Sequence, residues 1–327
     1  MNLYPLKFKP IYIEKIWGGT KIKTFLNKNI SNIDNCGESW EISCVKNNIS
    51  VVENGFLKDN NLQEIIEVYM GDIVGDTVFE KFGDEFPLLI KFIDANDNLS
   101  VQVHPNDELA QERHNTNGKT EMWYIINAEK GAQLISGFNK EISKTTYLKH
   151  LKNNTLTEIL NFEDVSTDDV FFIPAGRVHA TGKGILLAEI QQTSDVTYRI
   201  FDWNRKDANG KSRELHTDLA VDALDFSHHN NYKTKYTKKI NKSSNLINCQ
   251  YFTTNILEFD KEIEKDYNEL DSFVIYMCIE GSYSIKYNEN NEIKISKGET
   301  VLLPAVLENI LLMPNEKTKL LEVYLSL

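Results

Sequence analysis

The chain has 327 residues, a formal net charge of −12, and 41% apolar and 10% aromatic side chains. That length suggests one large or two ordinary domains with a sizeable core. The acidic balance argues against a nucleic-acid-binding surface and against docking to an acidic membrane. It also obliges any anionic ligand to find a local cationic pocket.

The first residues, MNLYPLKFKPIYIEKIW, lack the basic-then-apolar pattern of a leader, and no apolar run reaches membrane-spanning length. Cys36, Cys44, Cys249 and Cys278 are scattered with no CxxC, which reads as reduced thiols in a cytoplasmic protein. Residues 3–17 have mixed strand character and lead into a turn at Trp17-Gly18-Gly19. Residues 37–43 alternate like a strand, and their Glu38 is either a polar group near a site or an ordinary exposed carboxylate. Apolar residues at helical spacing (Leu62, Ile65, Ile66, Tyr69, Ile73) predict one or two short helices within 62–82. Residues 86–93 form a strongly apolar strand.

The next stretch is the most informative. In SVQVHP, Ser100, Gln102 and His104 alternate with Val101 and Val103, so a strand aims the three polar side chains to one face. Pro105 ends the pairing, because it has no N–H to give a ladder. After a helix-compatible segment comes KTEMW, where Lys119 and Glu121 share a face if the run is extended. Polar groups on a buried face are costly unless satisfied, and a divalent metal would satisfy His104 and Glu121, with Gln102 through its carbonyl oxygen. The competing reading is a solvent-exposed strand face.

Further on, residues 143–163 carry helical spacing, and Asp168 and Asp169 make a turn before the strand VFFI. In Pro174-x-Gly176-x-x-His179 the proline and glycine bend a strand exit, and the histidine on the next strand points back into a barrel. An apolar strand follows at 184–192, then SDVTYRIFDW, a loop around Asn209-Gly210 and a helix within 215–224. The polar, locally basic stretch at 230–245 reads as a linker. Residues 246–327 read as an all-β module with turns at Gly281, 288–291 and Gly298. There Gly298-x5-Pro304 repeats the spacing of Asp168-x5-Pro174, but Asn309 stands where His179 would, and no histidine follows His229. This module is read as lacking an equivalent His-based metal site.

SVQVHP, KTEMW, PAGRVHA and SDVTYRIFDW, in this order, resemble the type I mannose-6-phosphate isomerases in their short bacterial form. The resemblance implies a mainly β fold of cupin, or jelly-roll, barrels with a few helical insertions. A catalytic metal-binding domain would occupy 1–235 and a cupin-like domain without metal 246–327. It implies one zinc ion per chain on Gln102, His104, Glu121 and His179. It places Ser100, Lys119 and Arg199 at the substrate; without it, Arg199 reads as a surface ion pair with Asp195 or Asp202. The activity implied is interconversion of D-mannose 6-phosphate and D-fructose 6-phosphate through a cis-enediol, by a monomer or homodimer whose partner is a small phosphosugar, not nucleic acid or a membrane. Lys119, Glu38 or a metal-associated base would carry the proton, and Arg199 and Lys119 would offer cations for phosphate; Lys119 cannot be neutral base and phosphate cation at once. Two other classes share such a barrel, an iron oxygenase and a non-catalytic sugar-phosphate-binding protein.

Overall fold

The structure, a computed structural model, describes residues 2–206, 210–289 and 291–327. The loop expected around Asn209 and the turn residue Asn290 lie outside these. Two sandwiches of antiparallel strands make up the fold. In the first, a six-stranded sheet runs in the order Val170–Ile173, Glu121–Ala128, Ile185–Gln192, Leu88–Ala95, Cys36–Ile42, Ile11–Gly19. It faces a five-stranded sheet ordered Leu160–Asp164, Gln133–Phe138, His179–Ala180, Val101–Val103, Tyr198–Phe201. The second pairs a six-stranded sheet with a four-stranded one. The N-terminal strand Leu6–Lys7 crosses over to join the second sandwich, beside Thr300–Leu303.

The central strands explain why their sequences are so apolar: both faces are covered. In Leu88–Ala95, Leu88, Ile90 and Phe92 join the core outside the first barrel, while Ile93 and Ala95 point into it. Ile185–Gln192 behaves alike, with Leu186, Ala188 and Ile190 outside and Ile185 and Leu187 inside. The outer core is shared. It also holds Ile275, Met277, Leu321 and Val323 of the second sandwich, and Leu62, Ile65, Ile66, Ile73 and Val78 from the helical segment between them. Fully burying one such side chain stabilises by about 1.5–3 kcal/mol, so this common core binds the two sandwiches firmly.

The predicted elements hold with local changes. Residues 62–82 form three helices, Leu62–Tyr69, Gly71–Val74 and Asp76–Phe82; the first begins with a capping box between Asn61 and Glu64. The last has Gly75 at its N-cap and no side chain of its own to cap it. Asp271 of the second sandwich does so instead, accepting from Asp76 N (2.7 Å) and Thr77 N (2.8 Å). The helix expected through residue 163 ends at Lys152. Asn154 takes a left-handed conformation (φ 56°), and Leu160–Asp164 pairs as a strand with Gln133–Phe138. Trp17-Gly18-Gly19 is a bulge rather than a turn: Glu14 and Gly19 both pair with Cys36. The stretch read as a linker is fastened down. Tyr232 donates to Phe138 O (3.0 Å), and Tyr236 donates to Asp168 O (2.8 Å).

Candidate active site

The polar end of the first barrel carries the site. Val101 and Val103 are fully buried on one side of their strand, and Gln102 and His104 project from the other. His179 pairs with Gln102 from one neighbouring strand and Arg199 from the other. Gly176 supplies the bend before His179, with φ 89°, a conformation that costs glycine least. Glu121 opens the facing strand, paired with Ile173 and Gln191.

His104, Glu121 and His179 form a cluster whose donor atoms lie within 4.8 Å of one another. None of the three is more than 1% exposed. His104 Nε2 stands 3.3 Å from Glu121 Oε1, and His179 Nε2 3.5 Å from Glu121 Oε2. Each imidazole is oriented from behind. The Nδ1 of His104 lies 2.9 Å from Val196 O, and that of His179 2.8 Å from Arg177 O. A carbonyl only accepts, so Nδ1 carries the proton and both Nε2 lone pairs face the carboxylate. Burial and the Lys119 charge push His104 down to about 3, and burial likewise lowers His179, so both rings are neutral. Burial would raise Glu121, but the Lys119 ammonium 3.4 Å away favours its charged form and holds its carboxyl below the ordinary range.

Lone pairs facing lone pairs in a buried site are unstable without a cation. His104 Nε2 and Glu121 Oε2 have no hydrogen-bond partner. Two neutral imidazoles and one carboxylate are a donor set suited to a divalent metal of zinc-like preference, and these residues fit one. Gln102 Nε2 is 3.2 Å from His179 Nε2. A half-turn of its amide would bring the oxygen to that place.

Outward from the cluster opens a cavity of about 240 Å³. The residues singled out from sequence converge there: Glu38, Ser100, Gln102, Lys119, Glu121 and Arg199 all line it. Lys119 Nζ is 3.4 Å from Glu121 Oε1, at the inner end. Burial, and then Lys91, lower its ammonium below the usual lysine value. Arg199 is half-buried and donates to Ser100 Oγ (3.3 Å) and Glu214 O (2.9 Å). Asp202 is instead taken by Arg213, which donates to both of its oxygens (2.7 and 2.5 Å). Glu38 is not an exposed carboxylate. Burial opposes its charge, but Lys91 and Lys15 outweigh that and lower its pKa; Lys15 lies 3.0 Å away, and Trp40 donates to it at 2.7 Å.

Sequence reasoning missed an ion pair in the cavity wall. Lys91 Nζ is 2.9 Å from Glu189 Oε2, with side-chain exposures of 6% and 5%. Trp123 donates to the other oxygen of Glu189 (2.8 Å), and Lys91 also donates to Gln191 (2.6 Å). The signal was a lone charge in each of two strongly apolar strands, at positions aligned across the ladder. The cavity is thus lined by five cations (Lys15, Lys91, Lys119, Arg199, Arg213) and four carboxylates (Glu38, Glu121, Glu189, Asp195). A divalent metal would make it markedly cationic within an acidic chain, which suits an anionic ligand.

The family model for the catalytic domain of type I phosphomannose isomerase matches residues 6–139, and that for the cupin domain of mannose-6-phosphate isomerase matches 242–317. Mannose-6-phosphate isomerase ManA of Bacillus subtilis is 37% identical over 307 residues, covering 93% of this chain and 94% of the relative. The mannose-6-phosphate isomerase of Streptococcus mutans is 39% identical over 224 residues, 67% of each chain. The crystal structure of the mannose 6-phosphate isomerase from Bacillus subtilis superposes with a TM-score of 0.88 at 31% identity, over 98% of this chain and 99% of that one.

Proposed function

We propose, for a chain that belongs to the type I mannose-6-phosphate isomerases, that this mannose-6-phosphate isomerase is zinc-dependent and works through a cis-enediol. The observation that carries the reading is the cluster of two imidazoles, His104 and His179, around the Glu121 carboxylate, opening on a cavity lined by five basic side chains. His104, Glu121 and His179 would hold the ion, with Gln102 as a fourth donor once its amide is turned. When bound, zinc supplies Lewis-acid stabilisation to negative charge on oxygen. We divide the chain into a catalytic unit over 1–235 and a supporting unit over 246–327, joined across 230–245.

The reaction moves one proton between adjacent carbons. The C2 proton of the open-chain aldose leaves as O1 gains a proton, giving the enediol; O2 then loses its proton as one is delivered to C1, so the C1 carbonyl has become a hydroxyl and the C2 hydroxyl the carbonyl. Lys119 is assigned the carbon-bound proton. It sits 3.4 Å from Glu121 at the inner end of the cavity, and burial and Lys91 lower its pKa from the ordinary lysine value, the direction a proton carrier needs. Arg199, half-exposed at the mouth and tied to Ser100, holds the phosphate. This separates two roles that sequence left in competition on Lys119. Glu38, kept ionised by Lys91 and Lys15, is a poor proton carrier and serves to fix those cations. The free cysteines suit a reducing compartment such as the cytoplasm.

A coupled assay for fructose 6-phosphate formed from mannose 6-phosphate tests the metal, run with chelator and with zinc restored. Turnover lost to chelator and regained with zinc is the expected result; full turnover in metal-free protein would overturn the metal role. Turnover in deuterated water tests the enediol, because exchange at the enediol stage leaves deuterium on carbon in the product. Complete transfer of the aldose C2 protium to C1 of fructose 6-phosphate, with no deuterium incorporated, would favour direct hydride transfer.

A further inference from the structure

Gln192 ends its strand on the side away from the cavity, and what it holds reaches back to the site. Its Oε1 accepts from Thr120 N (2.8 Å), and its own N–H donates to Thr120 O (3.2 Å). Thr120 lies between Lys119 and Glu121, so both of its backbone polar groups are fixed by one residue. The amide of Gln192 then donates to Asp107 Oδ1 (2.9 Å), which also accepts from Gly118 N (2.9 Å). Gly118 fits only without a side chain, since a Cβ there would lie 2.6 Å from Asp107 N. The second oxygen of Asp107 accepts from the Tyr251 hydroxyl (2.6 Å), a residue of the second sandwich. Three donors on one carboxylate hold it ionised against its partial burial.

Residues 118–120 have no ladder of their own until Glu121 begins its strand. Glu121 is in the ladder on both sides, but ahead of it the backbone of 118–120 is held by this clamp and by the bond from Lys119 N to Pro105 O (3.1 Å). We propose that Asp107 and Gln192 are positioning residues for the isomerase reaction, setting Lys119 and Glu121 through the backbone of 118–120, and that Tyr251 makes the second sandwich part of this device. It gives the carboxy-terminal unit a role in turnover that needs no ligand of its own. The inference rests on the placement of Lys119 and Glu121 at the reacting end of the cavity.

The test compares zinc-loaded Gln192→Ala, Asp107→Ala, Asp107→Asn and Tyr251→Phe with the unaltered protein. Four readouts are taken: kcat, KM for mannose 6-phosphate, zinc release to a competing chelator, and Tm. Misplacement of a reacting group by about an ångström costs up to about 100-fold, so Gln192→Ala and Asp107→Ala should lower kcat about 10- to 100-fold. KM should move less than about twofold, because Arg199 and Ser100 are untouched. Zinc release should quicken, since Glu121 is loosened. Asp107→Asn keeps the Oδ1 acceptor and can offer its amide to the Tyr251 oxygen, so it should recover most of kcat. Tyr251→Phe should show a smaller loss of the same kind.

Asp271→Ala is the control. It removes the helix cap that the second sandwich supplies elsewhere, so it should lower Tm while leaving kcat in place. If Asp107→Ala and Gln192→Ala fold and keep the kcat and zinc release of the unaltered protein, the clamp has no role in positioning. If Asp271→Ala lowers kcat as much as they do, loss of stability explains the effect and the proposal falls. An unaltered protein with no isomerase turnover would instead fail the functional reading itself.

Discussion

Replacing Lys91 by methionine tests the electrostatics of the cavity wall most sharply. In the native protein Lys91 gives Glu189 its only cationic hydrogen bond among the described residues, and Trp123 supplies the other donor. Glu189 already sits high, raised by burial and by the charge of Glu121. Removing one partner of a buried pair costs about 3–5 kcal/mol when the survivor stays charged. Here the survivor has a second course, to take up a proton, which becomes the cheaper one as pH falls. That cost is set by the distance between buffer pH and the ordinary glutamate value of about 4.3, at about 1.36 kcal/mol per unit. It comes to about 3.7 kcal/mol at pH 7 and about 1 kcal/mol at pH 5. The sign follows from linkage. The variant's folded state binds a proton that its unfolded state has released above about pH 4.3, so its stability relative to the unaltered protein falls as pH rises. Urea unfolding of both proteins at pH 5 and pH 7, at matched free zinc, reads the difference directly. Adding Glu189→Gln should remove the pH dependence. A penalty equal at both pH values would show Glu189 still ionised without Lys91, and the buried-pair argument would fail.

His104→Ala or His179→Ala should lose bound zinc and turnover together, measured by metal content and the coupled assay; normal turnover without metal would remove both from the site. Arg199→Ala should keep its zinc and lose most substrate affinity or turnover, and unchanged kinetics would return Arg199 to a structural role. Asp168 links the sandwiches, ion-paired with Lys238 and with Lys319 (3.1 Å) and accepting from Tyr124. Burial opposes its charge, but these contacts lower its pKa, so it contributes stability above its unfolded value that is lost as pH falls through the folded one. Asp168→Asn should therefore lower the urea midpoint at pH 7, with the gap closing as pH is brought below the ordinary carboxylate range; a pH-independent gap would point to packing instead.

The polar face that lines the cavity was legible because strands report their faces in the sequence. Ser100, Gln102 and His104 alternate with two valines, and the structure puts the valines in a core and the polar groups at the cavity. His179 was found through the proline and glycine that aim it. Lys91 and Glu189 were not, because an ion pair across a ladder depends on register, which no local pattern states. The crossing of Leu6–Lys7 into the second sandwich was hidden for the same reason: two residues carry no periodicity, and their partner lies almost 300 residues away. The false extension of the 143–163 helix arose where Ile159 and Leu160 fit either period. The left-handed Asn154 and pairing to Gln133–Phe138 decide for a strand.

The two sandwiches share a plan, and register shows where they part. Ile173 and Leu303 each precede a proline, and they pair with Glu121 and Val274 respectively. The carboxylate of the first barrel's cluster thus meets a valine in the second. Asn309 opens its strand as His179 does, and it is exposed where His179 is fully buried. Two residues further along, the correspondence returns. Trp123, Glu189 and Lys91 lie across the first sheet, and Tyr276, Glu322 and Asn255 across the second. Both barrels therefore bury a glutamate at the same place. In the second it is fully occupied, by Lys265 (2.5 Å), Tyr267 (2.6 Å) and Asn255 (2.9 Å), with Tyr276 bonded to Tyr267. Tyr276 and Tyr283 are fully buried in this second barrel, whereas the first opens on the cavity lined by Glu189. A satisfied network rigidifies a core, whereas a half-satisfied one needs a ligand. The buried glutamate itself is paired in both barrels, and the atoms the first barrel leaves without a partner at its cavity are His104 Nε2 and Glu121 Oε2.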